Sequence, residues 1–131
     1  MQVHSLRVLV VDDNVDLAES TAMLLEMDGH TTEVLGNGLA VLETARRFLP
    51  DLVLMDLELP GLDGCSVARQ LRAEPMLDHA LLVALTGWGR DADKRDALDA
   101  GFDVHLTKPS SLDALRKLLA RYEPPVLNGA R

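Results

Sequence analysis

The segment Asp51-Leu52-Val53-Leu54-Met55-Asp56 runs four apolar residues unbroken into an acid, and the chain then turns through Pro60, Gly61 and Gly64. A short apolar run bounded by turn signals reads as a strand buried on both faces. Such strands belong to parallel sheets, whose ligands sit just outside the carboxyl ends of the strands. Asp56 therefore falls where chemistry takes place, although a helix-capping aspartate would look the same. The rest of the chain decides between the two.

The run has two close counterparts. Leu6 to Val11 is apolar and β-branched and ends in Asp12-Asp13, and Ala80 to Leu85 ends in Thr86-Gly87. Thr31 to Leu35 is a shorter, more polar strand suited to a sheet edge, and Asp103 to Thr107 runs into Lys108-Pro109. Between these lie helical patterns. Asn14 is placed to cap a first helix that buries Val15, Ala18, Ala22 and Leu25, carries Asp16 and Glu19 in its first turn, and stops at Gly29. Asn37-Gly38 opens a second helix with Val41, Leu42, Ala45 and Phe48 on its apolar side, ended by Pro50. After the Gly61/Gly64 loop, Val67, Ala68 and Leu71 mark a third, closed by Glu74-Pro75. Asp91 to Ala100, with Gly101 past its end, is a fourth; its apolar stripe is thin, so it should be the least firmly packed. Ser110-Ser111-Leu112-Asp113 offers a capping box before a fifth helix with Leu112, Leu115, Leu118 and Leu119.

Strand–helix five times over, with short connections, implies right-handed crossovers and helices on both faces of one parallel sheet. The expected fold is α/β, a flavodoxin-like doubly wound sheet in the order 2-1-3-4-5. That order leaves the polar second strand at an edge and the most apolar strands in the centre. The 131 residues suit one domain, here 1–122, with 123–131 as a C-terminal tail. No apolar run approaches the roughly 18 residues of a membrane span, and the first residues lack a signal-peptide pattern. Cys65 is the single cysteine and reads as a small, semi-buried residue, which excludes a disulfide framework or thiolate cluster and favours a reducing, cytoplasmic setting. His4, His30 and His79 form no ligand set. A net charge of −8 argues against direct nucleic-acid binding and against an anionic membrane surface.

In the expected strand order Asp12, Asp13, Asp56, Thr86 and Lys108 converge. Three carboxylates about 4 Å apart repel by roughly 4 kcal/mol per pair at an effective dielectric near 20. Either one is protonated or a cation sits among them. Oxygen-only donors favour a hard ion, Mg²⁺ or Mn²⁺. An acid nucleophile, a divalent ion, a lysine and a hydroxyl suit the oxygens of a transferring phosphoryl group, with Asp56 attacking to give an aspartyl phosphate.

The combination of an acid pair after strand 1, Met55-Asp56 with the Pro60-Gly61-Leu62-Asp63-Gly64 turn, Thr86-Gly87 and Lys108-Pro109 resembles the receiver domains of two-component response regulators, over Leu6 to Tyr122. The resemblance implies a signalling module, no enzyme beyond assisting its own phosphorylation and dephosphorylation. Asp56 would accept phosphate from a histidine kinase or histidine phosphotransfer domain. Asp13 and Asp56 would ligate Mg²⁺ directly, Asp12 mostly through water, and Glu58 through its backbone carbonyl. Thr86 and Lys108 would contact the phosphoryl group, a cis bond would precede Pro109, and the face of helix 4, strand 5 and helix 5 would switch. His105 stands at the switch position where the family often has Tyr or Phe, and reads as an ordinary variant that can still rotate between inward and outward positions. By the same resemblance Glu58 and Trp88 border the phosphoryl site as modulators of hydrolysis; Trp88 reads equally well as an exposed aromatic that contacts a partner or packs on helix 4. The run Leu85-Thr86-Gly87-Trp88-Gly89 with Gly101-Phe102-Asp103 resembles receivers of hybrid histidine kinases. A monomer or weak dimer is expected, signalling by contact to a downstream protein or attached kinase modules, either as a stand-alone regulator or as part of a larger protein.

Two other classes compete. An aspartyl-phosphate phosphatase or phosphotransferase acting on a small substrate would want an Asp-x-Asp pattern, but Glu58 stands at the second place and no cap domain is visible in the sequence. A flavin- or nucleotide-binding module would want a Gly-rich phosphate loop, which is missing.

Overall fold

The computed structural model describes residues 5–57, 64–86, 98–107 and 111–121. Five strands form one sheet in the order β2-β1-β3-β4-β5, each pair parallel. They are β1 (Arg7–Val11), β2 (Thr31–Leu35), β3 (Leu52–Asp56), β4 (Leu81–Thr86) and β5 (Val104–Thr107). The helices are α1 (Val15–Met27), α2 (Val41–Phe48), α3 (Gly64–Arg72), residues 98–100 (α4) and α5 (Ser111–Arg121), with a 3-10 turn at Pro75–Leu77. The expected order and fold class are those observed.

Alternation along the strands sorts the core into two layers. Leu9, Val11, Val53, Met55, Leu82 and Ala84 face α2 and α3. Val8, Val10, Leu52, Leu54, Val83 and Leu85 face α1 and α5. All five residues of β3 are buried, whereas edge strand β2 has none fully buried. The hydrophobic gradient across the strands is thus what orders the sheet: the strand with most apolar surface to hide takes the centre. No helix among the described residues is long and apolar enough to cross a membrane.

Local chemistry sets several helix ends among the described residues. Asn14 adopts an extended conformation and its Oδ1 accepts the Leu17 N–H at 3.2 Å. That bond satisfies one of the amides orphaned at the start of α1. Asn14→Ala is expected to cost about 1 kcal/mol, read as a lower urea midpoint with an unchanged slope. Gly29 and Gly101 take φ of +100° and +114° past the ends of α1 and α4, a conformation that glycine adopts without a Cβ clash.

Some expectations are corrected. Val15 does not share the buried face of α1: it is 45% exposed and its Cγ2 lies over Gly36, while Ala18, Ala22 and Leu25 are buried. Glu19 lies outside the first turn, which holds only Asp16. α2 starts at Val41 rather than at Asn37-Gly38, since Asn37 Oδ1 accepts the Leu39 N–H and closes a local turn first. Gly64 is the first residue of α3 and is buried, where an added Cβ would stand 2.9 Å from Leu57 Cδ2. Residues 91–97 of the fourth expected helix, the cis bond before Pro109, His4 and the 123–131 tail lie outside the described residues.

Candidate acidic site at the carboxyl edge

β1 and β3 are adjacent and in register, Val11 opposite Met55. The residues that follow them in the same sense, Asp12 and Asp56, therefore leave the sheet side by side. Both are 3% exposed, while Asp13 is exposed. One carboxylate oxygen from each of Asp12, Asp13 and Asp56 lies within 4.8 Å of the others. Charges that close interact by about 3.5 kcal/mol or more per pair at an effective dielectric of 20, before solvent screening of the exposed member. Burial next to like charge is costly for a carboxylate, so three acids here mark a place built for something other than stability.

The strand ends hold these acids in place. The Asp12 N–H donates to Leu35 O at 3.0 Å, which continues the β1–β2 ladder one residue past the strand. Asp12 Oδ1 accepts the Asn14 N–H at 2.9 Å. Asn14 thus orients Asp12 with its backbone amide and caps α1 with its side chain. Sequence reasoning found only the cap; the Asp-x-Asn spacing, which favours an Asx turn, carried the signal for the other half.

The donor set fits a hard divalent cation. It offers oxygen only, and the three carboxylate oxygens, within 4.8 Å of one another, are near enough to share one ion that would neutralise their charge. Two buried donors and one exposed donor leave room for the waters that Mg²⁺ keeps.

Thr86 ends β4, in register with Thr107 of β5, which places its backbone at the same edge as Asp56. His105 is half-buried on β5, opposite Ala84. Glu58, Trp88, Lys108 and Pro109 lie outside the described residues. Cys65 is half-buried and packs against the α2/α3 layer, as expected of a small core residue.

Comparison with known proteins extends this picture. Residues 8–120 match the family model of the response regulator receiver domain. The DNA-binding response regulator MtrA of Mycobacterium tuberculosis is 41% identical over 103 residues, 79% of this chain and 44% of MtrA. The sensory transduction protein RegX3 of Mycolicibacterium smegmatis is 37% identical over 123 residues, 94% of this chain and 51% of RegX3. The chain therefore spans about half the length of these curated relatives. Among solved structures, the receiver domain of sensor histidine kinase PA1611 from Pseudomonas aeruginosa, with a magnesium ion coordinated in its active-site cleft, superposes with a TM-score of 0.80 at 29% identity, covering 91% of this chain and 98% of that one. The chemotaxis response regulator CheY4 of Vibrio cholerae shares the fold, with a TM-score of 0.82 at 23% identity over 90% of this chain and 98% of CheY4. With the family match spanning nearly the whole sheet and every helix, the chain belongs to the response regulator receiver domain family, the phosphoacceptor signalling modules of two-component systems.

Proposed function

We propose that Asp56 is the phosphoacceptor of this receiver, and that Asp12, Asp13, Asp56 and the Glu58 carbonyl hold a Mg²⁺ or Mn²⁺ ion beside it. The observation that carries the proposal is the meeting of three carboxylate oxygens within 4.8 Å at the ends of adjacent central strands. A bound divalent ion would supply charge neutralisation for the acids and for the phosphoryl oxygens.

One Asp56 Oδ attacks the phosphorus of a phosphohistidine. The new O–P bond forms as the N–P bond breaks, and the imidazole leaves with the electron pair. Asp13, the exposed acid, faces the side from which a donor arrives, while the buried Asp12 is held by the Asn14 amide. Lys108 and the Thr86 hydroxyl contact the transferred group, and the face of α4, β5 and α5 shifts as Thr86 and His105 follow it, a population shift driven by the new contacts. Glu58 and Trp88 set how readily water reaches the acyl phosphate. Residues 1–122 form the receiver unit and 123–131 a tail. The donor is a histidine kinase or histidine phosphotransfer domain in the cytoplasm. Output passes by protein contact, and the module turns over only its own phosphate.

The direct test supplies Mg²⁺ and acetyl phosphate and reads the intact mass. One acid-stable, base-labile phosphoryl group is expected; no uptake, or uptake on a residue other than an aspartate, overturns the assignment. Lys108→Ala is expected to bind Mg²⁺ still and to lose most of the phosphorylation-dependent NMR shifts of β5 and α5. A full response in that variant removes Lys108 from the switch.

A further inference from the structure

His30, the residue before β2, is a long way along the strands from the acid cluster, at the opposite edge of the sheet. It is 6% exposed, and its Nδ1 accepts the N–H of the fully buried Leu6 at 3.1 Å. A ring nitrogen that accepts is unprotonated, so the imidazole is neutral with its proton on Nε2. Around it the same junction is laced by the Thr31 N–H to Leu6 O, the His30 N–H to Leu25 O, and the Ser5 hydroxyl to Gly29 O. His30 supplies the one side-chain acceptor among these, and it joins residues 24 positions apart.

We propose that His30 is a proton-operated latch: neutral, it ties the entry of β1 to the α1–β2 turn through Nδ1, and protonated, it releases Leu6 and turns toward the cavity between α1 and α5.

The geometry supplies both states. Protonated Nδ1 would set an N–H against the Leu6 N–H, two donors with no acceptor between them, so the closed arrangement excludes the charged ring. The open arrangement has somewhere to go. An open cavity of ≈ 480 Å³ lined by Asp28, His30, Asp113, Arg116, Lys117 and Ala120 adjoins the ring. The charged groups that face His30 there are Asp28 at the end of α1 and Asp113, Arg116 and Lys117 on α5. Arg116 grips Asp28 through Nε and Nη2, both at 2.7 Å, and that bond holds the Asp28 carboxyl below the usual range. Asp28 thus stays anionic throughout the pH range in which His30 titrates. Lys117 is 3.4 Å from Asp113. The set is close to neutral overall, and within it Asp28 is the group whose charge favours the protonated ring.

Burial pushes the His30 pKa below 6.5, and the nearby Asp28 charge opposes that only in part. The folded form therefore resists protonation more than the unfolded chain does. Neutral His30 contributes stability that is full above pH 6.5 and is lost as pH falls through the lower folded-state value. Each unit of depression is worth about tenfold in the unfolding constant.

NMR of the full chain between pH 8 and pH 5 tests the latch. The His30 ring is expected to titrate with a midpoint below 6.5, and the Leu6 amide to move with the same midpoint. His30→Asn places an amide oxygen where Nδ1 stood and cannot titrate. Its urea midpoint is expected to fall less between pH 8 and pH 5 than that of the wild type. A His30 midpoint at or above 6.5, a Leu6 amide that does not move with it, or equal losses in the two proteins overturns the proposal. If His30→Asn does not fold, the wild-type titration decides alone.

Discussion

Asp56→Asn is expected to take up no phosphoryl group from acetyl phosphate and Mg²⁺ under conditions in which the wild type gains one. The substitution keeps the shape of the side chain and removes the anionic oxygen that must form the O–P bond, so the chemistry stops while the fold remains. Loss of activity through unfolding is not expected, because Asp56 sits 3% exposed beside Asp12 and Asp13 and its charge opposes theirs. Neutralising it should raise the unfolding free energy by about 1 kcal/mol, after solvent screening of pairwise terms of a few kcal/mol, and so raise the urea midpoint. Intact-mass spectrometry after short exposure reads the first effect and urea unfolding the second. A variant that is still phosphorylated would move the nucleophile to Asp12 or Asp13. A variant that is less stable would mean that the Asp56 charge is held by partners stronger than the repulsion.

The sequence made the sheet legible because a strand buried on both faces has to be apolar throughout. Leu52 to Met55, Val8 to Val11 and Leu82 to Leu85 could hardly be anything else, and the intermediate burial of Thr32 to Leu35 matches its polar composition. From that ordering the meeting of Asp12, Asp13 and Asp56 follows as topology, since adjacent parallel strands in register deliver their next residues to one place. Helix starts were less legible. Asn37-Gly38 and Asn14-Val15 look alike as opening signals, yet Asn37 closes a turn on Leu39 whereas Asn14 caps Leu17; the difference is backbone geometry that residue type does not encode. Gly64 looks like a loop glycine in the sequence because its real constraint, the closeness of Leu57, depends on how α3 docks. Contacts between distant positions were illegible altogether. His30 meets Leu6 across 24 residues, Asp28 meets Arg116 across 88, and Arg72 reaches the carbonyls of Gly101 and Ala80. Nothing in residue type or local spacing pairs them, and only the folded chain brings them together.

Asp13→Ala is expected to reverse its rank against the wild type when Mg²⁺ is added. Asp13 is the exposed member of the acid cluster, so its removal leaves no buried polar group behind and relieves two like-charge contacts. Without divalent ions the variant should therefore be the more stable protein, by about 1 kcal/mol at low ionic strength. Added Mg²⁺ should then stabilise the wild type by mass action, about 2.7 kcal/mol at a hundredfold excess over Kd. The variant lacks one donor and should bind the ion at least 10–100-fold more weakly, the loss typical even for residues that only support a ligand, so its unfolding midpoint should hardly move over the same range. The two curves cross only if Asp13 both destabilises the empty cluster and holds the ion. Sodium chloride at matched ionic strength separates the causes, because screening lifts the wild type toward the variant without carrying it past. Parallel rises with Mg²⁺ would mean that the ion is held without Asp13. A wild type that is the more stable protein before any Mg²⁺ is added would mean that the carboxylate repulsion inferred from the 4.8 Å spacing is already neutralised within the protein.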